Sequence, residues 1–181
     1  MEVMTRFVAA TAIIAFLVLT GIAAAKIYPG TSQALMPSQR EIGFMTLVLF
    51  KPAKTPSAAL RKGYKNGVGA LFEKGTKTAP VNVVITVYVY SSTANATVAW
   101  THACSKCKVE SAPQGIKLKA EAGTSSGLPS LHEVSRCGNV YLDVLEAGAE
   151  SVSKLDSDVA TVTNAVYVRA IHGGLSSCTT K

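Results

Sequence analysis

Between Phe7 and Ala25 the chain carries no charged residue, with Arg6 before the run and Lys26 after it. A run this apolar cannot sit on the surface of a soluble domain, so it sets where the rest of the chain folds. Its core, Phe7 to Ile22, lies at the upper limit of a signal-peptide apolar region and falls short of the roughly 20 residues of a membrane span. Ala23, Ala24 and Ala25 supply the small side chains that a signal peptidase needs. The reading is an export signal over 1–25, cleaved after Ala25, with an uncleaved N-terminal membrane segment as the alternative. Either way the remainder lies outside the cytoplasm, at the cell surface or beyond it. Membrane contact is then transient during export or confined to the N-terminus.

Four cysteines, Cys104, Cys107, Cys137 and Cys178, all fall in the exported part. An even count outside the cell implies two disulfides. Joining Cys104 to Cys107 would staple little and strain the chain. The expectation is therefore that each reaches separately to Cys137 or Cys178, closing loops of roughly 30 to 75 residues.

Charge narrows the function classes. The net charge is +7, but Lys and Arg are scattered, densest at Arg61, Lys62, Lys65, Lys74 and Lys77. No basic stripe is interleaved with aromatics, which argues against a nucleic-acid partner. Charged residues make up only 16% of the chain, against about 25% in an ordinary soluble domain. A surface of Ala, Val, Ser, Thr and Gly can be covered by identical copies at little desolvation cost.

Residues 26–41 form a polar stretch with Pro29, Gly30 and Pro37, read as an extended arm. Residues 42–181 are read as one β-sandwich domain. Gly43 to Phe50 predicts a strand apolar on both faces. From Ser57 the spacing of Leu60, Tyr64, Val68, Leu71 and Phe72 predicts a helix, capped by Ser57 and stopped by Gly75. Val81 to Tyr90 alternates clearly and predicts a strand. Further strands are predicted at Thr97 to Ala103, around Ile116, Leu118 and Ala120, around Val140, Leu142 and Val144, and at Ala165 to Ile171. Ser151 to Asp158 reads as a short helix. At least five short strands without βαβ alternation predict a mainly β fold, an antiparallel sandwich of jelly-roll or immunoglobulin-like type with one or two short helices.

Several motifs suggest chemistry, and none has its required context. Gly123 to Gly127 matches Gly-x-Ser-x-Gly around Ser125, with Asp143 and His172 following in order. A nucleophile elbow needs a helix after the serine, and Leu128-Pro129-Ser130 does not open one. Cys104-Ser-Lys-Cys107 lacks the second knuckle of a zinc site and the histidine of a haem site. His102, His132 and His172 are far apart, and Gly75 to Thr78 lacks phosphate-loop spacing. The expectation is a non-enzyme without cofactor, metal or catalytic residues. Asn95-Ala-Thr97 is a candidate glycosylation acceptor in a turn.

An export signal, a polar arm, a doubly apolar first strand and a charge-poor β domain together resemble the subunits of archaeal bundling pili and threads, and the related fibre proteins of bacterial biofilm matrices. The resemblance implies a structural subunit of an extracellular filament, a homopolymer in which each copy donates a strand to its neighbour. The donated strand is then Ile42, Phe44, Met45, Leu47, Val48, Leu49 and Phe50, or alternatively the arm with Ile27, Tyr28 and Leu35. The competing expectation is a membrane-anchored, monomeric, β-rich binding or accessory domain. A small secreted hydrolase using Ser125 comes third.

Overall fold

A computed structural model describes residues 27–43, 45–76, 78–113 and 115–178. The expected signal segment and Phe44 lie outside the described residues. Seven strands follow one another as β1 (Thr46–Pro52), β2 (Tyr64–Thr76), β3 (Ala79–Tyr90), β4 (Lys108–Glu110), β5 (Ile116–Ser125), β6 (Leu128–Cys137) and β7 (Val140–Gly148). The helices are α1 (Ser32–Leu35), α2 (Thr93–His102) and α3 (Val152–His172), with a 3-10 turn at Ala58–Leu60. The chain is thus mainly antiparallel β with a few helices, as the alternation implied. The strands form one seven-stranded sheet in the order β1-β2-β3-β7-β6-β5-β4. No second sheet faces it among the described residues; α3 lies across β6 and β7 and supplies the other layer.

The alternation of β3 explains why. Val81, Val83, Ile85, Val87 and Val89 are all buried, and across the register they meet Val68, Ala70 and Phe72 of β2 and Val140, Leu142 and Val144 of β7. This inner face packs on a stripe of α3 made by Leu155, Val159, Val162, Val166 and Ala170, a spacing of three and four that only a helix brings to one side. The outer face is covered near one end by α2, whose Ala96 and Ala99 pack against Tyr90, Val134 and Tyr141. Lys119 secures that helix from β5: its Nζ donates to the carbonyls of Thr101 and Ala103 at the helix C-terminus, where carbonyls lack intrahelical partners.

Four expectations are corrected. The predicted helix from Ser57 to Phe72 is the 3-10 turn followed by strand β2. Gly67 shows the cause, since the ring of Tyr88 lies where a Cβ would stand, 2.4 Å from Cδ1, a cross-strand fit that helical spacing cannot report. Thr97 to Ala103 belongs to helix α2, opened by Ser92, whose Oγ accepts from the Asn95 amide at 3.2 Å. The short helix and the strand expected between Ser151 and Ile171 are one helix, α3. The arm is not free. Tyr28, Leu35, Met36, Ile42 and Met45 are buried in the chain's own core, and Arg169 of α3 holds Glu41 through Nε and Nη2, the latter at 2.6 Å.

The disulfides also differ from expectation. Cys104 pairs with Cys107 and Cys137 with Cys178. Cys104 takes a positive φ of 39° just after α2. The chain doubles back there and brings the two Cα atoms within 5.4 Å. The other bond ties the segment after α3 to the end of β6, across 6.1 Å between Cα atoms.

A groove between the long helix and the sheet edge

Helix α3 crosses β6 and β7 but not the far side of the sheet. Between it and β4–β5 runs a groove of about 780 Å³, within the range of small-molecule sites. Its floor is the inner face of β5 and β6, formed by Ile116, Leu118, Ala120, Ala122 and Leu131. Asp156, Ala160, Thr163 and Asn164 of α3 form one wall, and the segment from Glu110 to Pro113 the rim opposite. Small side chains at Ala120, Ala122 and Ala160 keep the space open. A leucine at any of these sites would fill part of it.

Glu133 of β6 lies in this apolar floor at 5% exposure. The Thr163 hydroxyl donates to its Oε1 at 2.6 Å, and among the described residues Oε2 accepts no hydrogen bond. Burial pushes its carboxyl up to about 7, the Thr163 bond opposes the shift, and the Asp156 charge adds to it. Ser135, next along the same face, is satisfied by the Tyr167 hydroxyl at 3.1 Å. Glu133 and Ser135 interrupt the apolar alternation of β6, which hides this strand in the sequence. An acid set between Leu131 and Val134 was the available signal.

A second charged cluster lies beyond α3. Glu146, Glu150 and Asp158 come close enough together to hold a cation, and the Lys74 ammonium sits among them, 2.7 Å from Glu150 and 3.6 Å from Glu146, with a direct bond to Asp158. Lys154 adds a 2.5 Å contact to Asp158. A protein cation thus occupies that centre.

The residues singled out for catalysis are not assembled. Ser125 and Leu128 flank a two-residue hairpin turn in which Ser126 and Gly127 take φ of 53° and 81°, the left-handed pair of a tight turn between antiparallel strands. Gly-x-Ser-x-Gly here is a hairpin. Asp143 pairs instead with His132 at 3.1 Å and accepts from the Tyr141 hydroxyl at 3.2 Å. Asp143 raises the affinity of the imidazole for its proton. His102 and His172 are exposed, the first closing α2 and the second α3. Asn95 lies in the first turn of α2 rather than in an open turn, its Nδ2 donating to Ser91 Oγ at 2.9 Å.

The proposed assembly strand is divided. Ile42 and Met45 are core residues, whereas Leu47, Val48, Leu49 and Phe50 lie in β1, paired with β2 and exposed at 40% or more. Ile27 is exposed, and Tyr28 and Leu35 are buried.

Together these features define a disulfide-bonded, β-rich domain with one helix-covered face and an open groove at its edge. Among solved structures the chain is similar to the extracellular domain of PknH from Mycobacterium tuberculosis, at 13% identity and a TM-score of 0.52, over 75% of this chain and 94% of that chain. At that identity the likeness shows the fold alone. The two disulfides fit an extracellular setting. No family model matches the sequence, and no curated protein matches it. No helix among the described residues is long and apolar enough to cross a membrane.

Proposed function

We propose that the chain is an exported ligand-binding domain, in which the groove between α3 and β4–β6 takes up a small organic molecule outside the cytoplasm. The observation that carries this reading is the combination of an apolar floor with one buried carboxyl group, Glu133, whose Oε2 accepts no hydrogen bond among the described residues. The arm's place in its own core favours a domain that works as one folded unit over a strand donor, since donation would first expose Leu35 and Ile42. The test is a small-molecule screen by protein-observed NMR. Ligands should perturb the amides of β5, β6 and α3 together, and Ala160→Trp should abolish those shifts. Hits that spare these elements would rule the groove out as the site.

A second reading, the filament subunit, draws on β1. Leu47, Val48, Leu49 and Phe50 form an apolar edge strand whose outer side no strand pairs among the described residues, the type of edge that pairs with another chain. Self-assembly would then run through β1 rather than through the arm. Sedimentation velocity and electron microscopy test it: association that persists in Leu49→Lys would remove this reading.

A further inference from the structure

We infer that the groove selects an organic cation, a primary amine on an apolar body, whose ammonium is held by the Glu133 carboxylate while the body lies along Ile116, Leu118 and Leu131. The inference rests on the groove being a ligand site, and gives that site its chemistry. The chain has 18 Lys and Arg against 11 Asp and Glu. Yet among the described residues the ionisable groups lining the groove are all acids, Glu110, Glu133 and Asp156. This local reversal of charge sets a negative field in the groove, which concentrates cations there.

Glu133 makes the recognition specific. Its Oε1 is fixed by Thr163, so the carboxylate is oriented before any ligand arrives, and its Oε2 still has capacity to accept. An anion buried without a counter-charge is unfavourable, and an entering ammonium removes that penalty while gaining a charge-assisted hydrogen bond. An anionic ligand would meet three carboxylates. A neutral alcohol would gain one ordinary hydrogen bond.

The same geometry gives a pH dependence. Asp156, Thr163 and Tyr167 bear on Glu133 from α3, while its strand neighbours Ala120 and Val144 bring no charge. With the carboxyl pushed up to about 7, it is ionised at pH 8 and protonated at pH 5.5. Amine binding therefore strengthens as pH rises through that window.

The test is calorimetry on the full chain with three probes sharing one body: naphthylmethylamine, naphthylmethanol and naphthoate. At pH 8 the amine should bind at least roughly tenfold tighter than the alcohol, and naphthoate weakest. Glu133→Gln, which keeps an acceptor for Thr163, should bring the amine down to the alcohol's affinity and erase the change between pH 8 and 5.5. Equal amine and alcohol affinities, or an amine preference that survives Glu133→Gln, would overturn the cation inference. Ala160→Trp, a change at an exposed helix position on the groove wall, separates this failure from the broader one. If it abolishes binding of all three probes, the groove stands as the site. If binding persists in it, or none of the probes binds the parent chain, the groove reading fails as well.

Discussion

Asn139 holds Tyr28 as a strand would: its Oδ1 accepts from the Tyr28 amide at 2.7 Å and its Nδ2 donates to the Tyr28 carbonyl at 3.2 Å, from a fully buried position. The same Nδ2 donates to the Tyr90 carbonyl at 2.8 Å. Gly138, with φ of 53°, makes the tight β6–β7 turn that aims the amide inward. The N-terminal segment is thus joined to the sheet 111 residues away in sequence. Ser32 repeats the device by donating its amide to Asn66 Oδ1 at 2.6 Å. Asn139→Ala leaves one donor and two carbonyls buried without partners, so it should lower unfolding free energy by about 3 kcal/mol. Urea denaturation measures the loss, and the Tyr28 amide should lose its protection from hydrogen exchange first.

Lys74 is shared by three carboxylates, those of Glu146, Glu150 and Asp158. Glu146 is fully buried and Asp158 nearly so, and one ammonium serves both together with the half-exposed Glu150. Removing a single partner of such a group leaves uncompensated buried charge, which costs about 3 to 5 kcal/mol. Lys74→Met should therefore destabilise strongly at neutral pH and less in acid, where Glu146, already pushed up to about 7 by burial, takes a proton. A loss equal at pH 5 and pH 8 would refute this account.

The two disulfides should contribute unequally. Cys137–Cys178 closes a segment with a separation of 41 residues and fastens the chain after α3, whereas Cys104–Cys107 spans a separation of 3. On the chain-entropy account the first contributes about 4 kcal/mol and the second about 2. Paired Cys→Ser variants, compared by thermal unfolding, should show the larger drop for the 137–178 pair. The short bond matters more locally, holding the turn after α2.

Much of the sheet was legible because its inner face obeys strict alternation. Val81 to Val89 and Val140 to Val144 have no competing pattern, and each meets the other across the register. Elsewhere one face depends on partners that the local sequence does not contain. In β2, Gly67, which would weaken a helix, makes room for Tyr88. In α3, Asp158 and Thr163 sit in the buried stripe because Lys74 and Glu133 answer them from the sheet, so the helical period was broken in sequence and restored in space. The groove follows the same rule. Ala120, Ala122 and Ala160 are unremarkable singly, and become a cavity only when β5 is set opposite α3.

Glu133 and Glu146 determine how stability responds to pH. Both carboxyls are pushed by burial from 4.5 up to about 7. Between these values the folded chain retains protons that the unfolded chain has released, so stability falls as pH rises through this window. The slope is at most about 1.4 kcal/mol per pH unit for each group. Glu41 acts in the opposite sense, since Arg169 holds its carboxyl down at about 2. Its contribution is present above 4.5 and is lost as pH falls toward 2. The chain should accordingly be most stable in mild acid, near pH 4 to 5. Glu133→Gln isolates one of these groups. It should match the parent near pH 4.5, where both side chains are neutral when folded, and exceed it by about 1 to 2 kcal/mol at pH 8, where the parent buries a carboxylate. Urea titrations at pH 4.5, 6 and 8 measure the difference. A constant difference across the three would mean that Glu133 does not titrate in this window. A parent more stable than the variant at pH 8 would mean that the carboxylate already has a compensating partner in the folded chain.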